Sequence, residues 1–164
     1  FPSPETIEQI AAVLGIEPTL SFDIYNLELE AACAFSSGFT GEQFGFAPSF
    51  SVAYNTNPFE KGSSATFGAE YMYLTPAYTN MITKTFDSEA ENVLPGIHAV
   101  SLFYRGTFNF NKVFGLLWRV RLPMVIAGSK DGESFNLNIT NLPGFGANFL
   151  IGVCTISVGV RFMI

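Results

Sequence analysis

"GLLWRVRLPM", residues 115–124, sets two arginines inside one of the most apolar segments of the chain. The sequence has only eight Lys and Arg among 164 residues, so Arg119 and Arg121 between Trp118, Val120 and Leu122 need a reason. Alternation supplies its first part. Successive side chains of a strand point to opposite faces. Here Phe114, Leu116, Trp118, Val120, Leu122, Met124 and Ile126 share one face, and Gly115, Arg119 and Arg121 share the other.

The same division recurs outward from this segment. In 43–55, Phe44, Phe46, Phe50, Val52 and Tyr54 oppose Gly45, Ala47, Ser49, Ser51 and Ala53. In 64–74, Phe67, Ala69, Tyr71 and Tyr73 oppose Gly68 and Glu70. In 98–110, Val100, Leu102, Tyr104, Phe108 and Phe110 oppose Ser101, Arg105, Thr107 and Asn109. In 155–164, Ile156, Val158, Val160, Phe162 and Ile164 oppose Ser157, Gly159 and Arg161. One face is bulky and the other small and polar. The small face carries all four arginines, Arg105, Arg119, Arg121 and Arg161, together with Glu28, Glu30 and Glu70, while Lys61, Lys112 and Lys130 fall in turns.

Turn-forming clusters at 36–41, 57–62, 75–78, 87–96, 111–113, 129–133 and 141–146 divide the region after Pro18 into about eight strands, counting "TNMITKTF" (79–86) as one. Before Pro18 the period is helical. Ser3 caps, Pro4 takes the first position, Ile7, Ile10, Ala11 and Leu14 share a face, and Gly15 with Pro18 marks the stop. The expected organisation is a helical segment over 1–18 followed by one all-β domain over 19–164. The chain opens on Phe1, as a mature or trimmed chain would.

Composition narrows the function classes. Charged residues make up 13% of the chain, about half the usual share, and the net charge of −6 offers no basic stripe for nucleic acid. Cys33 and Cys154 lack the spacing of metal ligands and His98 has no ligand partner, so no metal or other cofactor is implied. The uncharged run 142–160 approaches transmembrane-helix length, but Pro143 and four glycines interrupt it.

A sheet with bulky groups on one side and charges among small residues on the other has two modes of burial. If the bulky side were a soluble core, the small side would be the solvated exterior, roughly a quarter to a third of it charged; the strand 43–55 carries no charge at all. If the bulky side meets lipid, the small side lines a narrow lumen in which Arg and Glu satisfy one another. Backbone groups in hydrocarbon must all be paired, so such a sheet is expected to close into an antiparallel, up-and-down transmembrane barrel.

With these features the chain resembles the small, eight-stranded β-barrel family of bacterial outer membranes. The resemblance covers about residues 19–164 and rests on the strand pattern, the Arg/Glu inner face and the final "SVGVRFMI" (157–164), which resembles the family's terminal assembly signal. It implies an outer-membrane location, membrane lipids and the outer-membrane assembly machinery as partners, and a structural, adhesive or narrow-permeation role without catalysis. The alternative is a soluble barrel carrying a lipid or other apolar ligand in a calyx.

A three-residue turn at 111–113 makes Phe110 oppose Phe114, Arg105 oppose Arg119 and Trp118 lie over Gly106. Opposed arginines need counter-ions. Either Glu28, Glu30 and Glu70 reach across the lumen to form a structural network, the favoured reading, or Arg105, Arg119 and Arg121 hold an anionic group such as a lipid phosphate. His98 and Ser101 fall on opposite faces, against a lipid hydrolase. Closing the barrel would bring the first strand to the last, and with them Cys33 toward Cys154 as a candidate disulfide, although two separate thiols are the favoured reading.

Overall fold

The structure, a computed structural model, describes residues 14–37, 44–57, 62–86, 96–111, 113–130, 133–138 and 155–162. The helix expected before Pro18 falls mostly outside them, and its last turn is instead a strand. The elements are β1 (Leu14–Ile16), β2 (Thr19–Ile24), β3 (Leu27–Ser37), β4 (Phe44–Asn55), β5 (Gly62–Leu74), α1 (Pro76–Phe86), β6 (Ile97–Asn109), β7 (Phe114–Lys130), β8 (Glu133–Asn138) and β9 (Thr155–Phe162). All pairings are antiparallel. β1 and β2 keep one register along β3, from Leu14↔Ser37 to Ile24↔Leu27, and form a single strand interrupted at Pro18. Counted so, the sheet has eight strands.

Each neighbour follows the last in chain order from β3 to β7, as the alternating pattern and short turns dictate. The tightest turn, Tyr25–Asn26, has no glycine and was not legible as a turn; Tyr25 takes φ 54°. Asn26 holds it to β4, its side-chain amide donating to the Asn55 carbonyl at 2.7 Å and its carbonyl accepting from Asn55 N at 2.7 Å. At the β6–β7 turn the expected register holds. Arg105 opposes Arg119 and Gly106 opposes Trp118, and the Asn111 Oδ1 accepts the backbone N–H groups of Val113 and Phe114 at 2.8 Å each.

The sheet curls into an open half-barrel, which corrects the closed barrel expected above. Among the described residues no ladder joins β1–β2 to β8 or β9. Strand parity gives the physical reason. β8 and β9 both pair with the same side of β7, β8 along Val125–Lys130 and β9 along Phe114–Arg121, so they occupy one row. That leaves an odd number of rows, and the two outer rows run in the same direction. An all-antiparallel sheet closes only when its edges run oppositely.

Two further corrections concern local structure. "TPAY" and 79–86, expected as a turn and a strand, are the start and body of α1. Thr75 is its N-cap: Tyr78 N donates to Thr75 Oγ1 at 3.3 Å, and Pro76 takes the first helical position, where its missing N–H costs nothing. Ile126, expected among the bulky outward residues, is fully buried. The register shifts between Val100/Ser101, with Val100↔Val125 and Ser101↔Pro123, so Met124 is an extra residue on β7 that reverses the phase beyond it. The bulge adjoins Pro123, and the β4–β5 ladder stops at Ser49, next to Pro48; both prolines sit where a ladder is already interrupted.

The inner face has two parts. At the end of the sheet where β6 begins, Tyr78 and Met81 of α1 pack on Ala34, Ala47, Met72, Leu74, Ile97, Ala99 and Ile126. Gly45 permits this: a Cβ there would stand 2.5 Å from the Tyr78 Cα. The Thr75 hydroxyl also donates to the Phe46 carbonyl at 2.6 Å, tying the helix start to β4 beyond Pro48. The middle of the inner face is charged.

The outer face is its inverse. Among the described residues of β3–β7 it carries no Asp, Glu, Lys or Arg, and it exposes Phe46, Phe50, Val52, Phe67, Leu102, Trp118, Val120 and Leu122. Aromatic contacts cluster toward its two margins: Phe67, Tyr104 and Trp118 with Phe108 and Phe110 on one side, Tyr71, Tyr73 and His98 on the other.

Candidate functional site: a buried arginine–glutamate network

Alternation alone delivers Glu28 and Glu30 of β3, Glu70 of β5, Arg105 of β6, and Arg119 and Arg121 of β7 to one concave surface. Curling then brings residues far apart in sequence within hydrogen-bond reach. Arg105 Nη2 meets both carboxylate oxygens of Glu28 at 2.5 Å and Thr66 Oγ1 at 3.3 Å, while its Nη1 donates to Glu30 Oε2 at 2.7 Å. Arg119 Nη2 donates to the other oxygen of Glu30. Glu30 therefore bridges the two arginines that the β6–β7 register sets directly opposite, which removes their mutual repulsion. Arg121 binds Glu70 through Nε at 2.5 Å and Nη2 at 3.2 Å. Arg119 Nη1 lies 3.8 Å from Glu70.

One member was not found in the sequence. Glu17, between β1 and β2, accepts from Arg121 Nη2 at 2.5 Å and from Arg119 Nη1 at 3.5 Å. The sequence pattern puts it inside the helical segment 1–18, between Gly15 and Pro18 of the expected stop. The available clue was that Glu17 keeps the small-face phase of Glu28 and Glu30 once 14–24 is treated as a strand, with Pro18 at an edge. Arg161, the remaining expected member, stands opposite Gly115 in the β7–β9 ladder.

The ion-paired groups other than Glu17 are withdrawn from water: the side chains of Arg105, Arg119 and Arg121 are 4–5% exposed and those of Glu28, Glu30 and Glu70 1–2%. Charge pairing at such depth is close to obligatory, since an isolated buried ion costs several kcal/mol. Arg119 also stacks over the Phe103 ring, 4.6 Å from its centroid. Asn55 donates to Glu28 at 3.3 Å. Arg105 Nε, Arg119 Nε and the Ser51, Ser64 and Thr107 hydroxyls are buried with no protein partner among the described residues. Burial pushes the pKa of the Tyr78 phenol upward, opposed by its hydrogen bond with Ser36 and the charge of Arg121.

Chemically, the arrangement is a counter-ion lattice. Arg105, Arg119 and Arg121 direct their terminal nitrogens at carboxylates, which favours the structural reading over capture of an external anion. His98 and Ser101 lie as expected on opposite faces, exposed and buried; His98 Nδ1 is 2.6 Å from the Tyr71 hydroxyl. Cys33 is a free, half-buried thiol on the outer face of β3, and Cys154, its candidate disulfide partner, lies outside the described residues. Among the described residues no group of three His, Cys, Asp or Glu is placed to hold a metal, and no helix is long and apolar enough to cross a membrane. No family model, curated protein or solved structure matches the chain.

Proposed function

We propose that the chain is an integral membrane protein of the bacterial outer-membrane β-barrel type, embedded by its strands and serving a structural or adhesive role rather than forming an open pore. The observation that carries this reading is the inversion of the sheet. Among the described residues, five adjacent strands present an outer face without Asp, Glu, Lys or Arg, while three arginines and three glutamates are buried inside. In water, that outer face would be a contiguous apolar patch across five strands, of a kind that soluble monomers rarely expose. In hydrocarbon it is the favoured surface.

The dimensions agree. His98 and Phe108, at the two aromatic margins of β6, stand ten residues apart, roughly 33 Å along the strand at about 3.3 Å per residue and about 25 Å across a sheet tilted by about 40°. That is the height of an outer-membrane apolar band. The inner face argues for the absence of a wide conduit, since ion pairs cross it and α1 fills one end. A soluble lipid carrier would instead need an apolar calyx, and here the inner apolar region is occupied by the protein's own helix.

Detergent dependence tests the proposal. Circular dichroism is expected to show β structure in micelles and not in plain buffer, and the unboiled protein should migrate differently from the boiled one on a gel. A monomer that folds in buffer without detergent would overturn it.

A further inference from the structure

We infer that in a bilayer the two outer edges of the half-barrel, β1–β2 and β9, which no ladder joins among the described residues, zip directly to each other as a parallel seam. The inference rests on the membrane reading proposed above. Both edges run from the α1 end of the sheet toward the Tyr25–Asn26 end, because β1–β2 is antiparallel to β3, β9 is antiparallel to β7, and β3 and β7 run the same way. Contact between these edges without an intervening strand can only be parallel.

Three observations favour direct contact. Exposure is greatest at the edges: Leu20 is 79% exposed, Ile156 81% and Val158 80%, against 44% for Val52 and 39% for Val120 in the interior of the sheet. The faces match, with large apolar side chains outward on both edges and Ser21 facing inward on one, Ser157 and Gly159 on the other. The gap is also already bridged from below, because Glu17 of the first row reaches Arg119 and Arg121 of β7, the strand to which β9 is paired. Pro18 does not spoil the edge. Its carbonyl accepts from Cys33 N at 3.2 Å, and since N–H and C=O of one residue point the same way, its missing donor faces β3 rather than the seam. The driving force is the several kcal/mol that each unpaired backbone group costs in hydrocarbon.

The test uses the full chain with Cys33→Ser and Cys154→Ser, refolded in lipid vesicles. Pairs combining Leu20→Cys, Phe22→Cys or Ile24→Cys with Ile156→Cys, Val158→Cys or Val160→Cys are treated with a short thiol–thiol cross-linker. A parallel seam joins pairs that advance together: if position 20 links to 156, then 22 links to 158 and 24 to 160, each within one chain and near completion. Links that advance in opposite directions, links between chains, or no link in protein whose unboiled band is folded would overturn the seam. Failure to obtain a folded band in any lipid would instead strike the membrane reading and the seam with it.

Discussion

The two parts of the inner face achieve burial by opposite means. Around Met81 and Ile126, stability comes from shape: apolar side chains of five strands close on one helix, and any residue can be trimmed at the cost of its own contacts. Around Arg105 and Arg119 it comes from matched charge, where each group is tolerable only because its partner is present. The difference teaches that a damaged apolar region should lose stability gradually, whereas a damaged charged region should lose it abruptly, and that in the latter the identity of the partner matters more than its size.

The sharpest way to break this contrast is Arg105→Leu. It takes the arginine from Glu28 and one of two arginines from Glu30 in a buried site, and the expected loss is about 3–5 kcal/mol, read as a lower urea midpoint by circular dichroism in micelles. Combining it with Glu28→Leu should restore much of the loss, since replacing a buried pair with apolar groups is often neutral. If the double variant is no better than the single one, the network is not a set of matched pairs. Met81→Ala should cost about 2–4 kcal/mol on the same measurement, with no second substitution in the charged region able to rescue it. Gly45→Ala pushes a methyl against the Tyr78 backbone; an expected loss of about 1–3 kcal/mol should come with faster proteolysis within 76–86 and little change elsewhere. Thr75→Ala removes the cap and the link to Phe46, at a cost of about 1 kcal/mol. Greater sensitivity here than at Arg105 would reverse the ranking.

The charged region was the more legible of the two. Arg105, Arg119, Arg121, Glu28, Glu30 and Glu70 followed from a period of two, which survives wherever strands are regular. The apolar region was not, because both of its makers break that period. The bulge at Met124 reverses the phase of Ile126, and nothing in "LPMVIA" marks which residue is extra. In α1, Thr75-Pro76 suits a turn as well as a helix start, and Thr79, Ile82 and Thr83 are β-branched, so propensity favoured a strand. Packing against Gly45 and Ala47 decides otherwise. The open edges had no sequence signature, because direction and row count depend on how β8 and β9 share one side of β7.

The position of Trp118 gives the molecule a built-in optical probe. It is the chain's single tryptophan, lies over Gly106 beside Tyr104, and faces outward. Its emission therefore reports the surrounding medium rather than the packing of an interior. In a typical globular protein folding itself shifts tryptophan fluorescence to the blue; here the blue shift should appear on contact with acyl chains, and the chain in plain buffer should stay red. Brominated lipids would quench it according to the depth of the bromine, and so measure how deeply the β6–β7 turn sits.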